Sequence, residues 1–185
     1  DERQTLLCNS KLVAGQLAER YGVAAERLAV IYNGVDLERF HPRLREQSSA
    51  HLRSELGVDG PIALFVGSGF ARKGLDRAIA GLAAAGVKAD LVVAGAGDPS
   101  AFRRQAEALG IGGRVHFLGV RSDVAELYAD ADLFVLPTRY DPFANVCLEA
   151  MAAGVPVATT PRNGAAELLE PGVSGFICED DFAPA

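Results

Sequence analysis

Ile62-Ala63-Leu64-Phe65-Val66-Gly67-Ser68-Gly69-Phe70-Ala71-Arg72-Lys73-Gly74 is the stretch that decides the fold. Its first five residues are apolar without alternation, so both faces of the strand they form must be covered. A parallel strand lying between helices has this pattern. Glycines follow at once, where a chain must turn sharply and can bring its backbone close to a ligand. The pattern then predicts a helix starting near Lys73, and the free N–H groups and dipole of a helix start favour an anion. Arg72 and Lys73 add charge and donors. Gly67, Gly69, the helix start and the two cations together describe a diphosphate site. The plain alternative is a tight strand–helix turn with two solvated cations. A dinucleotide fingerprint needs a third glycine where Arg72 stands, and the spacing of a P-loop is absent, so neither NAD nor a Walker-type site is indicated.

Working outward, further apolar runs occupy residues 28–31, 91–94, 115–118, 133–136, 155–159 and 176–178. Between the runs lie helical stretches at 45–56, 73–85, 99–109, 122–130, 143–153 and 165–169. Strands alternating with helices at these lengths imply right-handed crossovers and an α/β, Rossmann-like doubly wound parallel sheet. Residues 5–10 read as a strand, with Ser10 capping a helix to about Arg20. That first stretch, residues 1–32, reads as a connector belonging to an interdomain region, and residues 33–185 as the ligand-binding domain. In such sheets ligands bind beyond the carboxyl ends of the strands, so the informative residues follow the apolar runs.

After the run at 133–136 comes Asp141-Pro142-Phe143-Ala144-Asn145-Val146-Cys147-Leu148-Glu149. Pro142 suits a first helical turn. The N–H groups of Phe143, Ala144, Asn145 and Val146 would then point out of the helix start toward an anion or hydroxyl. Helical side chains lean toward the N-terminus, so Glu149 can reach back over the site that Asp141 precedes. The plain alternatives are a cap for Asp141 and a solvated carboxylate for Glu149. Asp130-Ala131-Asp132 has a metal-binding spacing, but it falls between a helix end and a buried strand and reads as a boundary pair. His41, His51 and His116 are isolated, and Glu179-Asp180-Asp181 reads as a solvated turn.

Composition narrows the classes. The 185 residues are 49% hydrophobic and 23% charged, the balance of a globular domain, with 20 Gly and 9 Pro placed as turn punctuation. A net charge of −6 argues against a nucleic-acid or anionic-membrane surface, though not against a local anion pocket. Cys8, Cys147 and Cys178 have neither zinc nor disulfide spacing and read as reduced thiols of a cytoplasmic protein. No signal peptide or spanning helix is read, and a start at Asp1 without Met suggests a fragment.

The motifs together resemble a known family. Asn33-Gly34-Val35-Asp36, with Phe40 and Pro42, is similar to the interdomain hinge of the retaining, two-domain (GT-B) glycosyltransferases of family 4. Asp141 and Glu149 resemble the two acids of that family's E-x7-E motif, and the sequence continues in the family's manner through Glu149-Ala150-Met151-Ala152-Ala153-Gly154-Val155-Pro156-Val157 and Asn163-Gly164-Ala165-Ala166-Glu167. Within the family, Gly69 to Gly74 and Tyr140 to Val146 look most like bacterial lipopolysaccharide-core glucosyltransferases.

The resemblance implies the donor-binding half of an enzyme transferring a hexose from a nucleoside-diphosphate sugar, with UDP-glucose the expected donor and no cofactor or metal. Arg72 and Lys73 would hold the diphosphate, although many members place Arg directly after the first glycine, where this chain has Ser68. Asp141 would contact the transferred sugar with one methylene less than the usual Glu. Glu149 would bind the ribose, the amides of residues 143–146 the distal phosphate and sugar, and Gly119, Val120 and Arg121 would lie along the base. The acceptor site would belong to an N-terminal domain for which 185 residues leave no room. The implied partners are therefore the donor and that absent domain, with any membrane contact made through the latter, at the cytoplasmic face. Other readings on the same fold are a sugar-nucleotide epimerase, a phosphorylase-like enzyme and a non-enzymatic nucleotide-binding domain. No catalytic His constellation for an epimerase can be assembled.

Overall fold

The structure, a computed structural model, describes residues 4–48 and 51–179. Asp180 and Asp181, read above as part of a turn, lie outside them. Six parallel strands form the central sheet: β3 (Ile62–Val66), β4 (Asp90–Ala94), β5 (Val115–Gly119), β6 (Leu133–Leu136), β7 (Val157–Thr159) and β8 (Gly175–Ile177). Their spatial order is β5-β4-β3-β6-β7-β8. The chain winds outward from β3 to one edge, returns to the centre at β6 and winds outward to the other edge, which is the doubly wound arrangement expected from the alternation. β3 and β6 hold the middle because nothing in them needs water. Ile62, Leu64, Phe65, Phe134 and Leu136 are all at most 1% exposed. Full burial of side chains of this kind contributes about 1.5–3 kcal/mol each.

β1 (Leu6–Cys8) and β2 (Leu28–Val30) form a separate two-stranded parallel sheet bridged by α1 (Lys11–Tyr21). The run at 28–31 therefore does not join the central sheet. Ser10 caps α1 as its residue type suggests, its Oγ accepting the Val13 N–H at 3.1 Å. The same hydroxyl donates to the Pro142 carbonyl at 2.7 Å. Glu167 accepts the N–H groups of Lys11 and Leu12 at 2.8 and 2.7 Å, so a carboxylate from 155 residues away completes the cap.

Four helix readings need correction. The helix expected at 45–56 is two short ones, α2 (Arg43–Gln47) and α3 (His51–Leu56), because Asp130 accepts from the Ser48 hydroxyl and from the Leu52 N–H between them. The helix expected from Lys73 is a single turn, α4 (Phe70–Lys73), then Gly74 in the left-handed conformation, then α5 (Leu75–Ala84). Gly74 is required there: a Cβ would stand 2.0 Å from the Pro137 carbonyl oxygen, and φ is +79°. After α6 (Ser100–Ala108) and α7 (Val124–Asp130), the helix expected from Phe143 begins two residues later, as α8 (Asn145–Ala152). The last predicted helix is a 3-10 turn, Gly164–Leu168.

Asp130 and Asp132 act as the boundary pair their position suggests. Asp132 accepts from Arg45 and Arg53, both at 2.6 Å, and from the Ile62 N–H at 2.9 Å, tying α2 and α3 to the start of β3. Burial pushes the Asp132 carboxyl up, but the Ile62 N–H and the two guanidiniums outweigh it and hold the group below its ordinary 3.8. A depressed folded-state value stabilises fully above the unfolded value and loses that stabilisation as pH falls through the folded one. Asp132→Asn should therefore lower the urea midpoint near neutrality, and its deficit against the unaltered chain should shrink as pH falls below 3.8. Urea titrations at several pH values test this; a deficit independent of pH would contradict it.

Candidate functional site

β3 and β6 are adjacent and parallel, with Ala63 opposite Leu133 and Leu64 opposite Phe134, yet their crossovers leave in opposite directions. The loops at their carboxyl ends diverge and leave a crevice between them. One loop carries Gly67, Gly69, Arg72 and Lys73, and the other carries Asp141. The loops are laced together. The Arg139 N–H and the Thr138 hydroxyl both donate to the Arg72 carbonyl, at 2.9 and 3.0 Å, and Arg72 Nη1 donates to the Tyr140 carbonyl at 3.0 Å. The Arg139 guanidinium adds the Ala71 carbonyl and both oxygens of Asp76, at 2.8 and 2.6 Å.

The side chains of Arg72, Lys73 and Asp141 meet. Lys73 Nζ lies 2.5 Å and Arg72 Nη1 3.1 Å from Asp141 Oδ2, while Oδ1 accepts the Phe143 N–H at 3.2 Å. Asp141 is 6% exposed, and the Lys73 side chain 11%. Arg72, at 52%, keeps its guanidinium at the mouth. This arrangement changes the role the resemblance suggests for Asp141. Its carboxylate is a buried counter-ion to the cation pair, and both its oxygens are engaged. One cation remains in excess at the crevice, so an anion is attracted there despite the net charge of −6.

The amides expected to face a ligand divide into two groups. Those of Phe143 and Ala144 are taken by Asp141 Oδ1 and by Asn163 Oδ1, the latter at 3.1 Å, because α8 starts only at Asn145. Asn145 and Val146, at the first two positions of α8, have no intrahelical partner for their N–H groups and remain suited to an anion. Asn33 Nδ2 donates to the Asn145 side chain at 2.7 Å, bringing the Asn33-Gly34 segment to the same helix end. Glu149 is half-buried on α8, and its Oε2 lies 3.0 Å from the Tyr128 hydroxyl. It is not a solvated surface carboxylate.

Gly119, Val120 and Arg121 follow β5, on the far side of β4 from the crevice. Val120 is 76% exposed. The Arg121 guanidinium is held by Asp123 at 2.5 Å and Glu55 at 3.1 Å and would have to leave them to reach a ligand. A cavity of about 330 Å³ opens beside it, between α2, α3 and α7. Its lining includes Asp123, Glu126 and Asp130, which repel a phosphate, and none of Gly67, Lys73, Asp141 or Glu149. The crevice between β3 and β6, with its cation pair, is the better anion site.

Asn163 and Tyr128 bear on the site through their hydrogen bonds, and the sequence reading singled out neither. Asn163, 1% exposed, satisfies all its polar atoms between the Ala144 and Ala165 N–H groups, the Thr159 hydroxyl and the Cys147 sulfur, and so sets where α8 begins. It lies in a quoted motif, but nothing in spacing says which amides it takes. Burial pushes the Cys147 thiol up to about 12, so it is no nucleophile at neutral pH.

Residues 48–184 match the family described as glycosyl transferases group 1, and residues 2–39 match glycosyltransferase family 4. The chain is 33% identical over 171 residues to the lipopolysaccharide glucosyltransferase WaaG of Escherichia coli K12, covering 89% of this chain and 46% of that protein. It is 36% identical over 189 residues to the D-inositol 3-phosphate glycosyltransferase 1 of Catenulispora acidiphila, covering 94% and 45%. Among solved structures, Anabaena Alr3699/HepE in complex with UDP and glucose superposes with a TM-score of 0.83 at 30% identity, covering 96% of this chain and 50% of that one. The chain thus spans about half the length of the relatives it matches.

Removing Asp141 should leave Lys73 buried without a counter-ion. Asp141→Ala is expected to cost about 3 kcal/mol of folding stability, and adding Lys73→Met should recover part of that loss. Chemical denaturation of the single and double variants measures it; strictly additive losses would show that the pair is not coupled.

Proposed function

The chain belongs to the group 1 glycosyl transferases, and we propose that it is the donor-binding half of a retaining hexosyltransferase, with a UDP-sugar, UDP-glucose first, as its donor. The observation that carries this reading is the Arg72–Lys73–Asp141 cluster set at the switch point between β3 and β6. HepE, with the same fold, has been solved with UDP-glucose, and WaaG is a glucosyltransferase. The first supports a uridine donor and the second a glucosyl group. A glycan or lipid acceptor, lipopolysaccharide core included, fits the WaaG likeness.

The chemistry follows from charge. Breaking the anomeric C–O bond sends an electron pair to the diphosphate and leaves positive charge on the sugar. Arg72 is half exposed and can turn from Asp141 Oδ2 to the departing phosphate with little desolvation cost. Lys73 stays close to Asp141 and stabilises the same phosphate as a fixed point charge. The α8 start adds the Asn145 and Val146 N–H groups. Asp141 acts from behind, setting the two cations and opposing positive charge on the ring through space. Glu149 takes the ribose hydroxyls. Gly119, Val120 and Arg121 border the base, with Arg121 released from Glu55. No metal is assigned a role: the reading gives the departing phosphate to Arg72, Lys73 and the start of α8.

Residues 1–32 are read as the connector to an acceptor-binding N-terminal half. The exposed Leu7 in β1 and Ile31 just after β2, 69% and 61% accessible, are apolar positions at a two-stranded parallel sheet, a form that normally needs further strands or helices over it. Transfer needs donor and acceptor held together, so residues 1–185 by themselves would bind the donor weakly and transfer nothing. No helix of the described residues is long and apolar enough to cross a membrane. Any contact with a cytoplasmic membrane face would fall to the acceptor half.

Calorimetric titration with UDP, UDP-glucose and GDP-mannose tests the reading. A uridine ligand should bind, and Arg72→Ala and Glu149→Ala should each weaken it about 10–100-fold, the loss of a charge-assisted hydrogen bond. Full retention of affinity in both variants would reject the site. A preference for GDP-mannose would reject the donor.

A further inference from the structure

Tyr128 is fully buried at 0% exposure, yet it carries a hydroxyl. Its ring meets Phe40 edge-on at 5.8 Å and Phe134 at 5.7 Å, contacts that a phenylalanine would make equally well. What a phenylalanine lacks is the oxygen. That oxygen lies 3.0 Å from Glu149 Oε2 and 3.0 Å from the Val146 carbonyl. A phenol has one proton to share between these two acceptors. The carboxylate is the stronger claimant, since charge-assisted hydrogen bonds are about twice as strong as neutral ones. The Val146 carbonyl, in the first turn of α8, already serves the ladder of its own helix. Burial, and then the charge of Glu149, push the Tyr128 hydroxyl well above its usual range, so it remains a donor at any ordinary pH.

We propose that Tyr128 is a positioning residue for nucleoside recognition: by holding Glu149 Oε2 it turns Oε1 toward the ribose hydroxyls of the donor. The inference rests on the donor-site reading above. Among the described residues, no other side chain bonds the Glu149 carboxylate, so the rotamer of this acid depends on one phenol reaching across from α7. Glutamate has several rotatable bonds, and freezing them at the moment of binding weakens affinity. A partner that freezes them beforehand removes that cost. Tyr128 itself touches no ligand. Its only route to the nucleotide is through Glu149, and its effect should exist only for ligands that have the ribose diol.

The experiment compares UDP with 2′,3′-dideoxy-UDP on the unaltered chain and on Tyr128→Phe, by calorimetry, with thermal melts to establish that the variant unfolds cooperatively. Tyr128→Phe should weaken UDP about five- to ten-fold and leave the dideoxy nucleotide within about two-fold. In a Glu149→Gln background, the same substitution should add nothing further for UDP. Equal weakening of both nucleotides would mean that Tyr128 only supports the packing of α7 and α8, and would overturn the proposal. So would an unchanged UDP affinity. If the unaltered chain binds both nucleotides equally, Glu149 does not read the ribose, and the donor-site assignment of that residue falls together with this one. If it binds neither nucleotide, the donor reading itself fails first.

Discussion

Parallel pairing of β3 with β6 is the constraint from which the rest follows. Two strands far apart in sequence lie side by side, with crossovers that leave in opposite directions. Whatever follows each strand is delivered to the same end of the sheet and then pulled apart. The crevice therefore needs no special carving. Its walls are the two loops, its floor the strand ends, and its charge comes from whichever side chains those loops carry. Gly74 shows how tight the construction is: the backbone of one wall passes so close to Pro137 of the other that a methyl group has no place. The cross-links from Arg139 and Thr138 to the α4 turn then hold the walls at a set spacing.

Within that frame, the aspartate at position 141 has a different task from a longer acid. A glutamate could extend past the cations into the crevice. The shorter side chain ends at Lys73 and Arg72 and stays under the surface. The resemblance to the E-x7-E motif lies in the position of the acid, while the structure places its charge beneath Arg72 and Lys73. Burying a lysine beside it is tolerable only because the carboxylate is there. On the proposed reading, a phosphate arriving at Arg72 would compete with Asp141 for one cation and leave the other pair intact.

Much of this could be read in the sequence, and the parts that could not share a cause. The runs at 62–66 and 133–136 match β3 and β6 because strands covered on both faces are apolar throughout, a property each run shows by itself. The alternation was enough for the doubly wound sheet, and the residues after those runs were enough to name Arg72, Lys73 and Asp141. The helix starts were missed where a distant group intervenes. Asn163 takes the Ala144 amide and Pro137 imposes the break at Gly74, and neither partner is near in sequence. Tyr128 was invisible for the same reason. Its ring fits an apolar helix face, and only the tertiary structure shows where its oxygen points. The run at 28–31 is a true strand whose pairing partner the sequence left open, since a strand of three residues carries no mark of its neighbours.

The docking of α1 has a consequence for the order in which the chain can assemble. Ser10 reaches Pro142, Glu167 closes the front of α1, and Gly164 sits where a single Cβ would strike both Ser10 and the Pro142 carbonyl. These partners are made more than 130 residues after Ser10. Contacts of such separation form slowly, because a long loop must close before they contribute. During synthesis β1 and α1 must therefore wait until the second half of the sheet has emerged and folded. Docking of α1 becomes a late step that reports completion of the crevice, and a ribosome pausing between Gly110 and Pro142 would prolong the interval in which this segment can stick to other chains.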